Sequence, residues 1–237
     1  MSDQPLVLSL FPGIGLLDRA FEEEGFTVVR GPDLLWGGDV RRFSPPAGVF
    51  EGVIGGPPCK RFSQVNKAAQ RGLLPLADDL TPEFERCVRE GRPFWFLMEN
   101  VEGAPLPVVP DYQVRAVLLN NRWLGAEQNR RRRFSFGTAA GLALDISPSL
   151  VALEHPIYTG CFTANGTQWD REHGARTRSQ RTRKELRRGL WAQGLPEDFL
   201  AHAPFTVEGA IEVLGNGVPL PMGRAVARAV KRALGDR

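Results

Sequence analysis

The chain begins with an apolar run, "PLVLSLF" at residues 5 to 11, which passes through "PGIG" into "LLDRAFEEEG", where apolar positions recur at helical spacing as far as Gly25. A short apolar run bounded by proline and glycine reads as a buried strand, and the 3.6-residue period behind it as an amphipathic helix. "FTVVRG" predicts a second strand ending near Asp33, "GVFEGVIGG" a third ending just before Cys59, and "PFWFLMEN" a fourth ending at Glu99. Helical spacing predicts helices over 79–90 and 112–121, while "RWLGAEQ" and "RRFSFGT" read as further strands, the second with Phe134 and Phe136 on one face. Such alternation predicts an α/β fold, a parallel sheet wrapped by helices. Between about 140 and 180 the periodicity gives way to Gly, Thr, Asn and scattered aromatics, the pattern of a small inserted lobe. "TRKELRRGLWAQG" and "PMGRAVARAVKRAL" then return to helical spacing, the second as a basic amphipathic helix. The expected organisation is a main domain over 1–138, a small lobe over 139–185 and a segment over 186–237 that returns to the main domain.

A chain of 237 residues suffices for one good core and a small second lobe. Its 42% hydrophobic and 24% charged content is that of a soluble globular protein. No apolar run approaches the length that spans a bilayer, and "MSDQPLVLSLF" lacks the basic, apolar and small-residue zones of a secretion signal. A cytoplasmic protein with no membrane partner is expected. The three cysteines, Cys59, Cys87 and Cys161, are odd in number and far apart, which excludes a disulfide framework and a paired Cys-x-x-Cys metal site. With only His155, His173 and His202 beside them, no structural metal is expected. The net charge of +3 is modest but unevenly placed. Arg176, Arg178, Arg181, Arg183, Lys184 and Arg187 fall between Arg171 and Arg188, opposed only by Glu172 and Glu185, and four arginines occupy 130 to 133. Clusters of this kind suit a polyanion or form a solvated face.

Ligands of open α/β sheets gather at the C-terminal ends of the strands. Three predicted ends carry Gly13-Ile14-Gly15, Cys59 and Glu99, so one crevice could hold all of them. The glycines let backbone approach a ligand closely and Asp33, about 20 residues on, is placed for ribose hydroxyls, which fits a nucleoside-containing cofactor as well as a simple turn. Cys59 is either a small apolar filler or a nucleophile whose thiolate is favoured by Lys60 and Arg61. Glu99, at the end of an almost wholly apolar strand, is expected to be partly desolvated and usable as an acid or hydrogen-bond donor, or to be a loop carboxylate in water. Asn100 beside it could orient the loop.

Six stretches in order, "FPGIG", "GGPPCKRFS", "MENV", "QNRRRRFSF", "WAQGLPEDF" and "LGNGVPLP", resemble the ordered motifs of the DNA cytosine carbon-5 methyltransferases and span nearly the whole chain. The resemblance implies a doubly wound, Rossmann-like S-adenosylmethionine-dependent methyltransferase fold with a small inserted target-recognition lobe. It implies transfer of a methyl group to carbon 5 of a flipped-out cytosine in a short DNA target through a covalent cysteine adduct, leaving S-adenosylhomocysteine. By the same resemblance Phe11 stacks on the adenine, Gly13, Ile14 and Gly15 pass beneath the cofactor, Asp33 holds the ribose, and Asp39 reaches the adenine edge. Asn216 and Val218 close the methionine side, and Leu34, Val40 and Pro58 complete the cofactor set. Cys59 adds to carbon 6, Glu99 protonates or hydrogen-bonds ring nitrogen 3, and Arg132 with Arg130 binds the cytosine carbonyl and braces the site. Lys60, Ser63, Asn100, Gln128, Arg181 and Arg183 are the implied substrate contacts. The implied partners are double-stranded DNA and a cognate restriction endonuclease, with the chain itself a monomer. The sequence departs from the family pattern in carrying Ser9 where an acid is usual, Lys60 for glutamine, only six residues from Asp33 to Asp39, and an unusually small recognition region, which predicts a target of a few base pairs. Rival readings are a tRNA carbon-5 methyltransferase, which "GCFTANGTQW" resembles, a nucleotide-cofactor oxidoreductase, and a catalytically silent DNA-binding relative.

Overall fold

The computed structural model describes residues 5–59, 78–148, 160–167 and 182–235. The order along the chain is β1 (Leu6–Leu10), α1 (Leu16–Glu23), β2 (Thr27–Arg30), β3 (Gly52–Gly55), α2 (Thr81–Gly91), β4 (Trp95–Asn100), β5 (Gln113–Asn120), β6 (Arg131–Thr138), β7 (Phe162–Thr163), β8 (Gly166–Thr167), α3 (Arg183–Ala192), α4 (Val207–Asn216) and α5 (Leu220–Leu234). Six strands form one sheet in the order β2-β1-β3-β4-β6-β5. The first four are parallel, and β6 runs antiparallel to both β4 and β5.

Alternation along the central strands builds a core on each face. Val7, Ile54, Trp95 and Leu97 pack with Phe21 of α1 and Val226 and Val230 of α5 on one side, whereas Leu8, Val53, Phe96 and Met98 pack with Phe84, Cys87 and Val88 of α2 on the other. The near-continuous apolar runs of the sequence are the signature of strands buried on both faces. Cys87 is a fully buried core residue.

Two expected elements differ. The helix expected over 112–121 is strand β5, whose eight residues pair in register with β6 from Gln113↔Thr138 to Asn120↔Arg131. Pairing with partners 11 to 25 residues away outweighs a weak local helical period. The strand expected at "RWLGAEQ" is instead a 3-10 turn, Asn121–Leu124, capped by the Asn120 side chain and ended by Gly125 at φ 84°. The six residues from Asp33 to Asp39 hold no helix; two 3-10 turns, Leu34–Trp36 and Val40–Arg42, fill the path between β2 and β3. Of the lobe expected over 139–185, Leu142, Leu144 and Ile146 pack on the main core, and residues 160–167 form the β7–β8 hairpin. That hairpin sits on α3 and α4: a Cβ at Gly189 would lie 2.3 Å from the Phe162 ring, and one at Gly215 would lie 2.0 Å from the Thr163 backbone.

Candidate functional site

The C-terminal ends of β1 to β4 open onto a cleft of about 640 Å³ lined by Phe11, Gly13, Ile14, Asp33, Leu34, Asp39, Val40, Pro58, Cys59, Glu99, Arg132, Asn216 and Val218, among others. The volume is that of a small-molecule site.

The turn after β1 sets one end. Phe11, Gly13 and Gly15 all have left-handed backbone, at φ 56°, 55° and 76°. For Phe11 this costs about 1–3 kcal/mol, strain of a kind that persists at ligand sites. A Cβ at Gly13 would meet no atom within 4 Å, so that bare backbone faces open cleft. Asp33 holds the turn in shape. Its Oδ2 accepts from Gly13 N at 2.8 Å and its Oδ1 from Leu35 N at 2.7 Å, while Trp36 Nε1 donates to Gly13 O at 2.7 Å. Asp39 caps the next turn by accepting from Arg41 N at 3.0 Å. Asp33 and Asp39 thus bring two carboxylates to the cleft, with the bare turn beside them, a donor and acceptor set that fits a nucleoside.

The other end holds the reactive groups. Pro57 and Pro58 carry the chain from β3 to Cys59, which is half-buried. Burial pushes the Cys59 thiol up from its ordinary value, and Arg132 is the largest influence opposing it. The activation expected from Lys60 and Arg61 falls on residues outside the described ones; within them, desolvation dominates. Glu99 is buried, and its Oε1 accepts from Arg132 Nε at 2.8 Å. The desolvation expected for Glu99 is therefore met by a charged partner. A Cβ at Gly56 would lie 2.9 Å from Glu99 Oε2, so glycine there keeps the carboxylate against the Cys59 loop.

Strand periodicity divides the four-arginine run. Arg130 and Arg132 share the face of Phe134 and Phe136; Arg131 and Arg133 share the opposite one. Arg131 pairs with Glu102 at 3.0 Å, and Arg133 donates to the carbonyls of Glu102, Ala104 and Pro105. Of the two readings of the 130 to 133 run, polyanion surface or solvated face, these contacts leave Arg131 half-exposed on its pair with Glu102 and turn Arg133 onto the 102–105 loop.

Five further expected site residues, Arg130, Gln128, Asn100, Gly15 and Arg183, do not line the cleft. Arg130 is 1% exposed and does not line the cleft. Its Nη1 donates to Phe162 O at 2.7 Å, and its Nη2 to Gly215 O and Gly217 O, both at 3.0 Å. It ties the β7–β8 hairpin to the segment leading to Val218. Gln128 is equally buried, donating to Ala192 O at 2.7 Å and accepting from Phe162 N at 3.0 Å, so it anchors the hairpin and is spent before any substrate arrives. Asn100 is buried on the sheet face opposite Glu99, where its Oδ1 accepts from Val101 N at 2.8 Å. It shapes the loop. Gly15 does not line the cleft; the Arg30 side chain covers it, 2.7 Å from where a Cβ would lie. Arg183 is exposed at the start of α3, away from the cleft lining. Lys60, Ser63 and Arg181, with most of the Arg171–Arg188 cluster, lie outside the described residues. No group of His, Cys, Asp and Glu among the described residues could hold a metal ion.

Sequence reasoning missed part of the wall. Gly209, Glu212 and Val213 line the cleft from α4 together with Asn216, and Phe205 lines it from just before the helix. Their spacing of about four residues, behind a Thr206 whose Oγ1 accepts from Gly209 N at 3.1 Å, is a helix face with its N-cap and was legible. Asp18 was also missed. It stands where a dinucleotide turn would carry its third glycine, and it lines the floor beside Ser9, buried.

Residues 38–105 match the family model described as C-5 cytosine-specific DNA methylase. The chain is 29% identical over 192 residues to the Type II methyltransferase M.XorII of Xanthomonas oryzae, covering 61% of this chain and 43% of that protein. It is 30% identical over 180 residues to the Type II methyltransferase M.FnuDI of Fusobacterium nucleatum, covering 64% and 51%. The aligned region thus spans about half the length of these curated relatives or less. Among solved structures, the Entamoeba histolytica methyltransferase EhMeth superposes with a TM-score of 0.66 at 13% identity, over 99% of this chain and 100% of that one, a likeness of fold.

Proposed function

We propose that this chain, a member of the C-5 cytosine-specific DNA methylase family, is a DNA (cytosine-5)-methyltransferase that uses S-adenosylmethionine and acts on a flipped-out cytosine in a short duplex target. The observation that carries the reading is the meeting, in one cleft, of Cys59, the Glu99–Arg132 ion pair and the glycine turn splinted by Asp33. Phe11, Gly13, Asp33, Asp39, Asn216 and Val218 would hold the cofactor, whose sulfonium supplies an electrophilic methyl group.

The residues' chemistry follows from the base. Carbon 5 of cytosine is a poor nucleophile, so the Cys59 thiolate adds to carbon 6 and leaves an enamine reactive at carbon 5. Glu99 delivers a proton or a hydrogen bond to ring nitrogen 3 as negative charge builds there. Arg132 holds Glu99 in place through Nε, keeps Nη1 on the Arg131 carbonyl, and would turn Nη2 to the cytosine carbonyl. Loss of the carbon-5 proton then expels Cys59. Burial holds its thiol toward the protonated form in the free protein, so activation belongs to the complex with the nucleotide. The raised pKa of Cys59 supports that order.

The Type II methyltransferase names of the relatives support a restriction-modification setting, and in this reading the chain works as a monomer beside a cognate restriction endonuclease. Cytoplasmic placement is part of the same reading; among the described residues no helix is long and apolar enough to cross a membrane. The compact 139–185 region would contact the target.

The test is transfer of labelled methyl from S-adenosylmethionine to a mixed-sequence DNA duplex, with total tRNA in parallel and Cys59→Ser as control. Label in duplex DNA that disappears with Cys59→Ser is expected. Label in tRNA alone would overturn the DNA assignment, and label in neither would overturn the activity.

A further inference from the structure

The floor of the cleft holds a carboxylate that the mechanism above does not use. Asp18, in the first turn of α1, is fully buried yet lines the cleft beside Ser9. Ser9 Oγ donates to Asp18 Oδ1 at 2.5 Å, the length of a charge-assisted hydroxyl–carboxylate bond. Arg30 Nε donates to Oδ2 at 3.0 Å from the solvent side, its side chain 57% exposed. A serine hydroxyl has one proton and two lone pairs. With that proton committed to Asp18, the Ser9 oxygen can only accept from whatever occupies the cleft.

We propose that Ser9 and Asp18 form the anchor for the α-ammonium group of the cofactor, Ser9 accepting its hydrogen bond and Asp18 fixing and charging that acceptor. This rests on the methyltransferase reading. The position follows from strand order. Ser9 is the penultimate residue of β1, which lies between β2, leading to Asp33, and β3, leading to Cys59. With the nucleoside held at Asp33 and the sulfur directed to the base at Cys59, the amino-acid end of the cofactor is left to the floor between them, where Asn216 and Val218 close the other side. A buried carboxylate there also answers the absence of an acid at position 9, since Asp18 brings one to the same point from α1. Burial pushes the Asp18 carboxyl up from its ordinary value, and the hydrogen bonds from Ser9 and Arg30 oppose that shift.

The experiment is calorimetric titration of the full chain, wild type, Ser9→Ala and Asp18→Asn, with three ligands. S-adenosylhomocysteine carries the ammonium and carboxylate, decarboxylated S-adenosylmethionine keeps only the ammonium, and 5′-methylthioadenosine has neither. Loss of one charge-assisted hydrogen bond corresponds to about a tenfold to hundredfold weakening. That loss is expected for the first two ligands in both variants, with 5′-methylthioadenosine binding unchanged within about twofold. Equal losses for all three ligands would make the pair a structural brace of the turn and overturn the proposal, as would unchanged affinity for S-adenosylhomocysteine. Should Asp18→Asn fail to fold, Ser9→Ala, which removes one oxygen and leaves Asp18 paired with Arg30, decides the matter. Wild-type protein that binds none of the three would overturn the cofactor reading itself.

Discussion

Replacing Arg130 by methionine should damage the fold before it damages the chemistry. The guanidinium satisfies three buried carbonyls, Phe162 O at 2.7 Å and Gly215 O and Gly217 O at 3.0 Å. Methionine fills most of the volume and none of the bonds. Gly217 O keeps Gln193 Nε2 at 3.2 Å, so two buried acceptors, Phe162 O and Gly215 O, are left unpaired, at about 1–3 kcal/mol each and about 2–6 kcal/mol in all. Part of this is returned, because the wild-type protein bears the desolvation of a buried cation, several kcal/mol after relaxation. Burial, and then the neighbouring Arg132, push the Arg130 pKa down, the mark of that cost. A net loss of about 3 kcal/mol remains, which for a chain of this size lowers the melting temperature by about 6–12 °C. The assay is urea and thermal unfolding of wild type and Arg130→Met, with Arg132→Met as comparison. Arg132 bonds to one carboxylate at the cleft and to the Arg131 carbonyl, so its variant should keep the hairpin and lose activity at unchanged cofactor affinity. In the Arg130 variant, S-adenosylhomocysteine affinity should fall too, since Gly217 and Val218 form the cleft wall. An Arg130→Met protein within about 1 kcal/mol of wild type would refute the reasoning, because two unpaired buried acceptors could not then be hidden.

Alkylation of Cys59 by iodoacetamide in the free protein, followed by peptide mass spectrometry, should accelerate about tenfold per pH unit between pH 7 and 9, because a raised thiol pKa keeps the thiolate a minor species throughout that window. Arg132→Gln should slow it further at fixed pH, since Arg132 is the largest influence favouring the thiolate; a plateau below pH 8 would contradict the raised value. Gly13→Ala and Gly215→Ala should fail differently. The first has open space but φ 55°, so it should cost about 1–2 kcal/mol in unfolding free energy and weaken cofactor binding. The second drives a Cβ to 2.0 Å from the Thr163 backbone and should displace the hairpin, read as a larger loss of stability. Arg183, Lys184, Arg187 and Arg188 are exposed on α3. Reversing Arg187 and Arg188 to glutamate should weaken duplex binding and flatten its log–log salt dependence by about 2, at about 0.9 per phosphate contact, whereas an unchanged slope would remove α3 from the DNA surface.

Much of the architecture was legible in the chain because strands buried on both faces must be apolar throughout and must end where polar chemistry begins. Each of the first four predicted strands ends where expected, and Gly13, Asp33, Cys59 and Glu99 mark those ends. The rest depended on partners remote in sequence. The period of residues 112–121 suits a helix, and only eight cross-strand pairings with β6 make it a strand. The four arginines from 130 to 133 are chemically identical as letters. The pleat sends alternate ones to opposite faces, and burial then makes Arg130 a brace, Arg132 a partner of Glu99, and Arg133 a clamp on the 102–105 loop. Asp18 carries no motif, and acquires a candidate role only because α1 folds it onto Ser9, nine residues earlier. The sequence by itself determined which strand ends would carry chemistry, since local hydrophobic patterning decides where the chain enters and leaves the core. Tertiary structure alone decided which charged groups face the cleft and which are consumed inside the protein, since hydrogen bonding and desolvation depend on neighbours that chain order does not supply.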